Sequence, residues 1–208
     1  LVSKVHAEAR RFAAEGYRIV LIGHEGHEEV EGTVGEAPDA IQVIDCVDAV
    51  ANIEADNRRV AYLTQTTLAI DETREIVDAL RERFPDLVGP ASDDICYATQ
   101  NRQDAVRAVA SECDLMLVIG SQNSSNSRRL VEVAERAGCV ARLIDDETEL
   151  DPVWLRGVTR VGITAGASAP EVLVERVLAA LAGLGPVQVT ERAVVTESVR
   201  FRLPAEVR

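Results

Sequence analysis

Arg18-Ile19-Val20-Leu21-Ile22-Gly23 is followed at once by the polar run His24-Glu25-Gly26-His27-Glu28-Glu29. A short, β-branched, uninterrupted apolar run predicts a strand covered on both faces, as strands are in a parallel sheet. The change of character at Gly23 then puts a polar loop at that strand's carboxyl end. Upstream, residues 4–15 set Val5, Ala9, Phe12 and Ala13 on one face at the helical period, and Gly16 ends the element. Downstream come a weaker strand at 41–44, a short helix near 47–53 and a clearer strand at 59–63. The last of these runs into Thr64-Gln65-Thr66-Thr67, and Asp71 opens a helix reaching Phe84 with acids in its first turn.

After Gly89-Pro90 the pattern starts again. A helix is predicted over 101–112 with Asn101 as its cap, a strand over 114–119, and a polar loop over 120–127. The alternation continues through a helix at 130–137, a strand at 140–144, a segment around Trp154 and a strand at 160–164. The loop Ala165-Gly166-Ala167-Ser168 precedes Pro170, read as the first helical residue of a helix at 171–181. The tail carries one further strand at 199–203. The two halves align as an internal repeat, helix, strand and polar loop matching helix, strand and polar loop, and Arg59 to Thr67 matching Arg160 to Ser168. Strands alternating with helices imply parallel sheets. The expected fold class is therefore α/β, with two similar small domains at 1–90 and 91–189, each a mostly parallel sheet flanked by helices, and a tail at 190–208.

A chain of 208 residues that is 47% hydrophobic has material for a sizeable core. Its net charge of −13 excludes non-specific attraction to nucleic acid or to an anionic membrane, both of which need clustered Lys and Arg. An anionic ligand would have to be held by local dipoles and neutral donors. The four cysteines, Cys46, Cys96, Cys113 and Cys139, show no CxxC pair, and no signal peptide or long apolar span is visible, which points to a reducing, cytoplasmic setting. Leu1 stands where a complete reading frame has Met, so a fragment or a processed chain is expected.

In parallel α/β sheets, ligands bind beyond the carboxyl ends of the strands. Those ends here are 24–29, 64–67, 120–127 and 164–168, rich in His, Thr, Ser, Asn, Gln and Gly, each preceding a helix or turn whose N–H groups suit an anion. Any one such loop is ordinary turn and cap chemistry, whereas four at equivalent positions point to a site. His24-Glu25-Gly26-His27 lacks the two-residue gap of H-E-x-x-H and follows a strand, which excludes a zincin. His27 fits a phosphate donor and Glu29 a proton carrier; His6 fits a core or partner contact. Cys46, Cys113 and Cys139 read as packing residues. Cys96 differs, lying in a loop with Thr99, Gln100 and Asn101 just ahead of a helix N-terminus, where a thiolate gains from the partial positive charge of the N–H groups.

The ordered set His24 to Thr33, Thr64 to Leu68, Asp94 to Gln103, Gly120 to Ser127 and Thr164 to Pro170, with a closing stretch from Glu197 to Arg208, resembles the LytB family of 4-hydroxy-3-methylbut-2-enyl diphosphate reductases. The resemblance implies an iron–sulfur enzyme that removes the substrate's allylic hydroxyl to give isopentenyl and dimethylallyl diphosphates, fed by a reduced ferredoxin- or flavodoxin-type donor. It implies a 4Fe–4S cluster held by three cysteine thiolates, with Cys96 as one, and one iron open to the substrate oxygen. It further implies that Glu29 delivers the proton with help from Thr66, and that His27, Ser124, Asn126 and Ser168 bind the diphosphate with Ser125 beside them. The family's arrangement is three similar domains with pseudo-threefold symmetry, of which this chain matches the second and third; the other two ligand cysteines are expected outside it. The repeat agrees, because the spacing from Cys96 to Gly120, measured back from Gly23, lands just ahead of Leu1. The alternative reading is a non-catalytic α/β module that holds a phosphorylated metabolite with the same loops.

Overall fold

The computed structural model describes residues 1–54, 58–92 and 94–194. Helix α1 (Val2–Ala14) buries Val5, Ala9 and Phe12 along the expected stripe. Strand β1 (Arg18–Ile22) follows, buried from Ile19 onward. Helix α2 (Glu28–Glu36) begins inside the polar run 24–29 read from sequence as loop; His27 caps it, and three acids, Glu28, Glu29 and Glu31, lie in its first turn where the helix dipole favours them. The chain returns as β2 (Ile41–Ile44), makes a 3-10 turn at Asp48–Asn52, and forms β3 (Val60–Thr64) and α3 (Ile70–Arg83).

The second half repeats this order with α4 (Tyr97–Ala110), β4 (Leu115–Ile119), α5 (Ser125–Arg136), β5 (Val140–Ile144), two short 3-10 turns, β6 (Val161–Ala165) and α6 (Glu171–Leu184). Each half holds a parallel three-stranded sheet, ordered β2-β1-β3 and β5-β4-β6. Ile19 sits between Ile41 and Ala61, and Leu115 between Val140 and Val161. The first strand of each half is thus the middle one, and the crevice lies where the chain switches sides, at the carboxyl ends of β1 with β3 and of β4 with β6.

Because side chains alternate across a strand, each sheet builds two apolar layers. Ile19 and Leu21 pack with Val5, Phe12 and Val30, while Val20 and Ile22 pack with Ile76, Val77 and Leu80. In the second half Met116 and Val118 join Val106, Leu130 and Val133, and Leu115, Leu117 and Ile119 join Val177 and Leu181. Each fully buried aliphatic side chain is worth about 1.5–3 kcal/mol.

Three helix starts differ from the sequence expectation. Asn101 lies inside α4, whose N-cap is Cys96 with extended backbone (φ −64°, ψ 125°). Helix α5 begins at Ser125, within the run read as loop, and Pro170 is the N-cap of α6 rather than its first residue. At α4 and α5 bonds to Thr66 and His27, remote in sequence, outweigh local propensity. The expected strand at 199–203 and the closing stretch at 197–208 lie outside the described residues. Among those described, no helix is long and apolar enough to cross a membrane.

Candidate functional site

Thr66 follows β3 and is buried. Its N–H donates to Glu29 Oε1 at 2.8 Å and its hydroxyl to Glu29 Oε2 at 3.0 Å, so one residue holds both oxygens of the carboxylate. Glu29 is presented from the first turn of α2. Its own N–H donates to His27 Nδ1 at 3.1 Å, the side-chain cap of that helix. With Nδ1 accepting, an uncharged imidazole carries its hydrogen on Nε2. That atom meets Ser125 Oγ at 2.6 Å and so joins the two halves.

The carbonyl of Thr66 accepts from the Cys96 N–H at 3.0 Å, and the Cys96 carbonyl accepts from Gln100 N–H at 2.9 Å in the first turn of α4. Cys96 is a free, partly exposed thiol. Thr66 therefore ties the backbone of the candidate metal ligand to the carboxylate of the candidate acid. Two residues earlier, Asp94 has only 2% of its surface exposed. Its Oδ2 accepts from the Thr64 N–H at 3.1 Å and its Oδ1 from Lys4 Nζ at 2.8 Å. Burial pushes the Asp94 carboxyl up, opposed by the Lys4 and Thr64 hydrogen bonds.

In the second half Ser124 caps α5, its hydroxyl accepting from Ser127 N–H at 3.2 Å. Asn126 is 8% exposed, yet among the described residues neither its Nδ2 nor its Oδ1 has a partner, and the enclosed Ser127 hydroxyl also lacks one. A buried polar atom without a partner costs about 1–3 kcal/mol. The helix start fits this closely because of glycines. A Cβ on Gly166 would lie 3.7 Å from Asn126 Nδ2 and would overlap Ser127 Oγ, and one on Gly120 would come within 2.9 Å of Ser127 Cβ. Gly166 N–H donates to the Ile119 carbonyl at 2.8 Å, carrying the β6 end past the β4 end. Ser168 is exposed in the turn just after it and has no described contact with Ser124, Ser125 or Asn126.

A cleft of about 410 Å³ opens beside this group, lined by His24, His27, Gln65, Thr67, Ser125 and Arg128 among others. It shares His27 and Ser125 with the site, whereas Glu29, Thr66 and Cys96 lie outside its lining. Arg129, also on its wall, is nearly enclosed; it pairs with Glu72 at 2.9 Å and reaches His24 Nε2 at 2.6 Å. Burial lowers the His24 pKa, helped by Arg129 and opposed by Glu132, Asp45 and Glu72. Sequence reasoning missed Arg129 and the burial of Asp94. Neither carries a local signal, since Arg and Asp are mostly exposed and their partners are remote in sequence.

His6, expected as a core or partner contact, pairs with Glu36 at 3.0 Å on a partly exposed face. Cys139 is buried and its thiol points to the Cys113 carbonyl at 3.4 Å. Burial raises the pKa of both thiols. They lie at the amino ends of the second-half strands, away from the site. Cys46 departs from its expected packing role, because it is exposed in the bend after β2. Among the described residues no group of three or more His, Cys, Asp or Glu is arranged to hold a metal ion. What Cys96 offers a metal is one free, partly exposed thiol.

A family profile described as LytB protein matches residues 1–182. The chain is 59% identical over 210 residues to the 4-hydroxy-3-methylbut-2-enyl diphosphate reductase of Mycolicibacterium paratuberculosis, covering 100% of this chain and 63% of that protein. It is 58% identical to the enzyme of the same name from Nocardia farcinica, covering 100% of this chain and 62% of that one. The chain thus spans less than two thirds of the length of these curated relatives. The solved structure of E-1-hydroxy-2-methyl-but-2-enyl-4-diphosphate reductase from Plasmodium falciparum superposes with a TM-score of 0.82 at 37% identity, covering 86% of this chain and 56% of that one. The α/β expectation of two flanked parallel sheets agrees with that likeness.

Proposed function

The chain belongs to the LytB protein family, and from that premise we propose that it forms part of an iron–sulfur reductase of 4-hydroxy-3-methylbut-2-enyl diphosphate. The reaction takes up two electrons and two protons. The allylic C–O bond breaks, one proton goes to carbon in isopentenyl or dimethylallyl diphosphate, and the other leaves with the oxygen as water. The observation that carries this is the double role of Thr66, whose N–H and hydroxyl hold Glu29 while its carbonyl holds the backbone of Cys96.

A 4Fe–4S cluster, when bound, supplies the electrons and a Lewis-acidic iron for the hydroxyl oxygen. Cys96 would be one of its thiolate ligands, the others coming from beyond these residues. Glu29 is the proton carrier, kept aimed by Thr66. His27, Ser124, Ser125, Asn126 and Ser168 bind the diphosphate. Neutral donors at the α5 N-terminus suit this task in a chain whose net charge is −13, where the local dipole has to replace fixed positive charge. The unpartnered Asn126 amide supports the assignment, because a phosphate oxygen would satisfy its Nδ2. The reading includes a cytoplasmic setting, a ferredoxin- or flavodoxin-type donor, and a division into 1–90, 91–189 and a tail at 190–208.

The test uses the complete protein, reconstituted anaerobically. Cys96→Ser should lose the cluster's visible absorbance and all turnover. Glu29→Gln should keep the absorbance and substrate affinity while losing turnover. A wild-type protein that binds the diphosphate without a cluster and without converting it would instead establish a non-catalytic binding module.

A further inference from the structure

We infer that Asp94, clasped by Lys4, is a positioning residue that sets the Cys96 thiol against the Glu29 carboxylate; the inference rests on the function proposed above. The outer edge of β3 explains how. Tyr62 N–H donates to the Val88 carbonyl at 2.8 Å and Val88 N–H to the Val60 carbonyl at 3.1 Å, so the chain after α3 begins to run alongside β3 as a further strand would. Two residues further on, the outward N–H of Thr64 is taken by the Asp94 side chain. Two residues further again, the Thr66 carbonyl receives the Cys96 N–H. Asp94 thus spans a gap in the pairing that carries the chain from β3's edge to the cysteine.

The other Asp94 oxygen is held by Lys4 from the first turn of α1, and Lys4 Nζ also donates to the Ser92 carbonyl. Nearby, Ala91 N–H donates to Glu8 Oε1 at 3.1 Å. The approach to Cys96 is therefore pinned to α1 on one side and to β3 on the other. A fully enclosed carboxylate is kept only with good partners, and here both partners locate the cysteine loop. Since Glu29 hangs on Thr66, Asp94, Cys96 and Glu29 are all referred to residues 64–66. A shift at Asp94 moves the thiol relative to the acid and leaves the Ser124–Asn126 end untouched.

The experiment compares Asp94→Asn and Lys4→Met with wild type in the complete, cluster-loaded protein. Three quantities are read: the rate of iron release to a colorimetric chelator, the cluster's paramagnetic resonance spectrum in the reduced state, and KM and kcat. Asn keeps an acceptor for the Thr64 N–H but turns its amide toward the Lys4 ammonium. Expected are faster iron release, an altered spectrum, and kcat lower by roughly ten- to a hundredfold, the scale on which small misplacements of reacting groups act. KM should stay near its wild-type value, because Asp94 bonds to Thr64 and Lys4 and not to His27 or the start of α5. Lys4→Met should reproduce the effect in weaker form, and it decides the matter if Asp94→Asn melts too low to load. Iron release and kcat within about twofold of wild type in the folded variants would overturn the inference and leave Asp94 a purely structural residue. A wild-type protein that loads no cluster would instead defeat the proposed function, so the two failures are distinguishable.

Discussion

Thr66→Val is the most direct probe of the Glu29 arrangement. Valine has nearly the shape of threonine, so the buried position stays filled while the hydroxyl that donates to Glu29 Oε2 at 3.0 Å disappears. The main-chain donor to Oε1 at 2.8 Å remains. One of two bonds to the carboxylate is therefore removed, and a hydrogen bond to a charged group is worth about 1.5–3 kcal/mol. At about 1.36 kcal/mol per tenfold in rate, kcat should fall roughly ten- to 150-fold if that bond aims the acid. The effect on folding should sit at the low end of the same energy range, because Glu29 is only partly buried and water can replace the lost donor. Steady-state turnover of the complete reconstituted protein measures the first quantity, and urea unfolding the second. Cluster absorbance must stay at the wild-type level to show that Cys96 is undisturbed. Thr67→Val is the control, since its hydroxyl accepts from Gln65 Nε2 at 3.1 Å and faces the neighbouring cleft. Equal kcat in the wild type and Thr66→Val, within about twofold, would refute the claim that this hydroxyl orients Glu29 for proton transfer.

Asn126→Leu should weaken diphosphate binding about tenfold or more while leaving the ligand-free fold as stable as wild type or about 1 kcal/mol more stable, because it removes two buried polar atoms that have no partner. Substrate titration and thermal unfolding check the two halves of that statement, and a marked loss of stability would show that Asn126 is a packing residue. For pH, the His24 pKa in the folded state lies below its ordinary 6.5, so the unfolded chain binds the proton more readily. The stability that neutral His24 contributes is fully present above about 6.5 and is lost as pH falls through the window between that value and the lowered folded pKa. His24→Gln should flatten the slope there, measured as urea midpoints over that range; an unchanged slope would assign the pH dependence to other groups.

The middle strands β1 and β4 were legible because buried parallel strands are written as continuous apolar runs bounded by turn residues, and the edge strands β2 and β5, interrupted by Gln42 and Arg142, still keep the expected bounds. The internal repeat then implied two sheets and located the four carboxyl ends. Helix α2 was not legible because Gly32 and Gly35 weaken its helical propensity and its first turn sits inside a polar run. The start of α4 was misjudged for a different reason. Asn101 is the better cap by local preference, but the bond from Cys96 to Thr66, remote in sequence, chooses the first turn. Among the candidate residues, the fold brings Glu29 to Thr66 and His27 to Ser125, contacts that no spacing rule predicts. Asp94 and Arg129 stayed hidden because their burial depends on Thr64, Lys4 and Glu72, each far away along the chain.

The two halves share one layout but use it differently, and the difference is one of satisfaction. At the β1 and β3 ends most polar groups answer each other, the buried Thr64 hydroxyl excepted: Glu29 is met by Thr66, Gln65 by Thr67 and by the His24 N–H, and Cys96 by the Thr66 carbonyl. At the β4 and β6 ends Asn126 and Ser127 are enclosed without partners. Groups already held in place orient chemistry at little further reorganisation cost, whereas enclosed groups without partners gain most when a ligand supplies the missing bonds. Under the proposed function the diphosphate therefore lies over the α5 N-terminus and the allylic end points toward Glu29 and Cys96. The His27–Ser125 contact at 2.6 Å stands at the border between them, where displacing one hydrogen bond would let the imidazole turn from serine to phosphate.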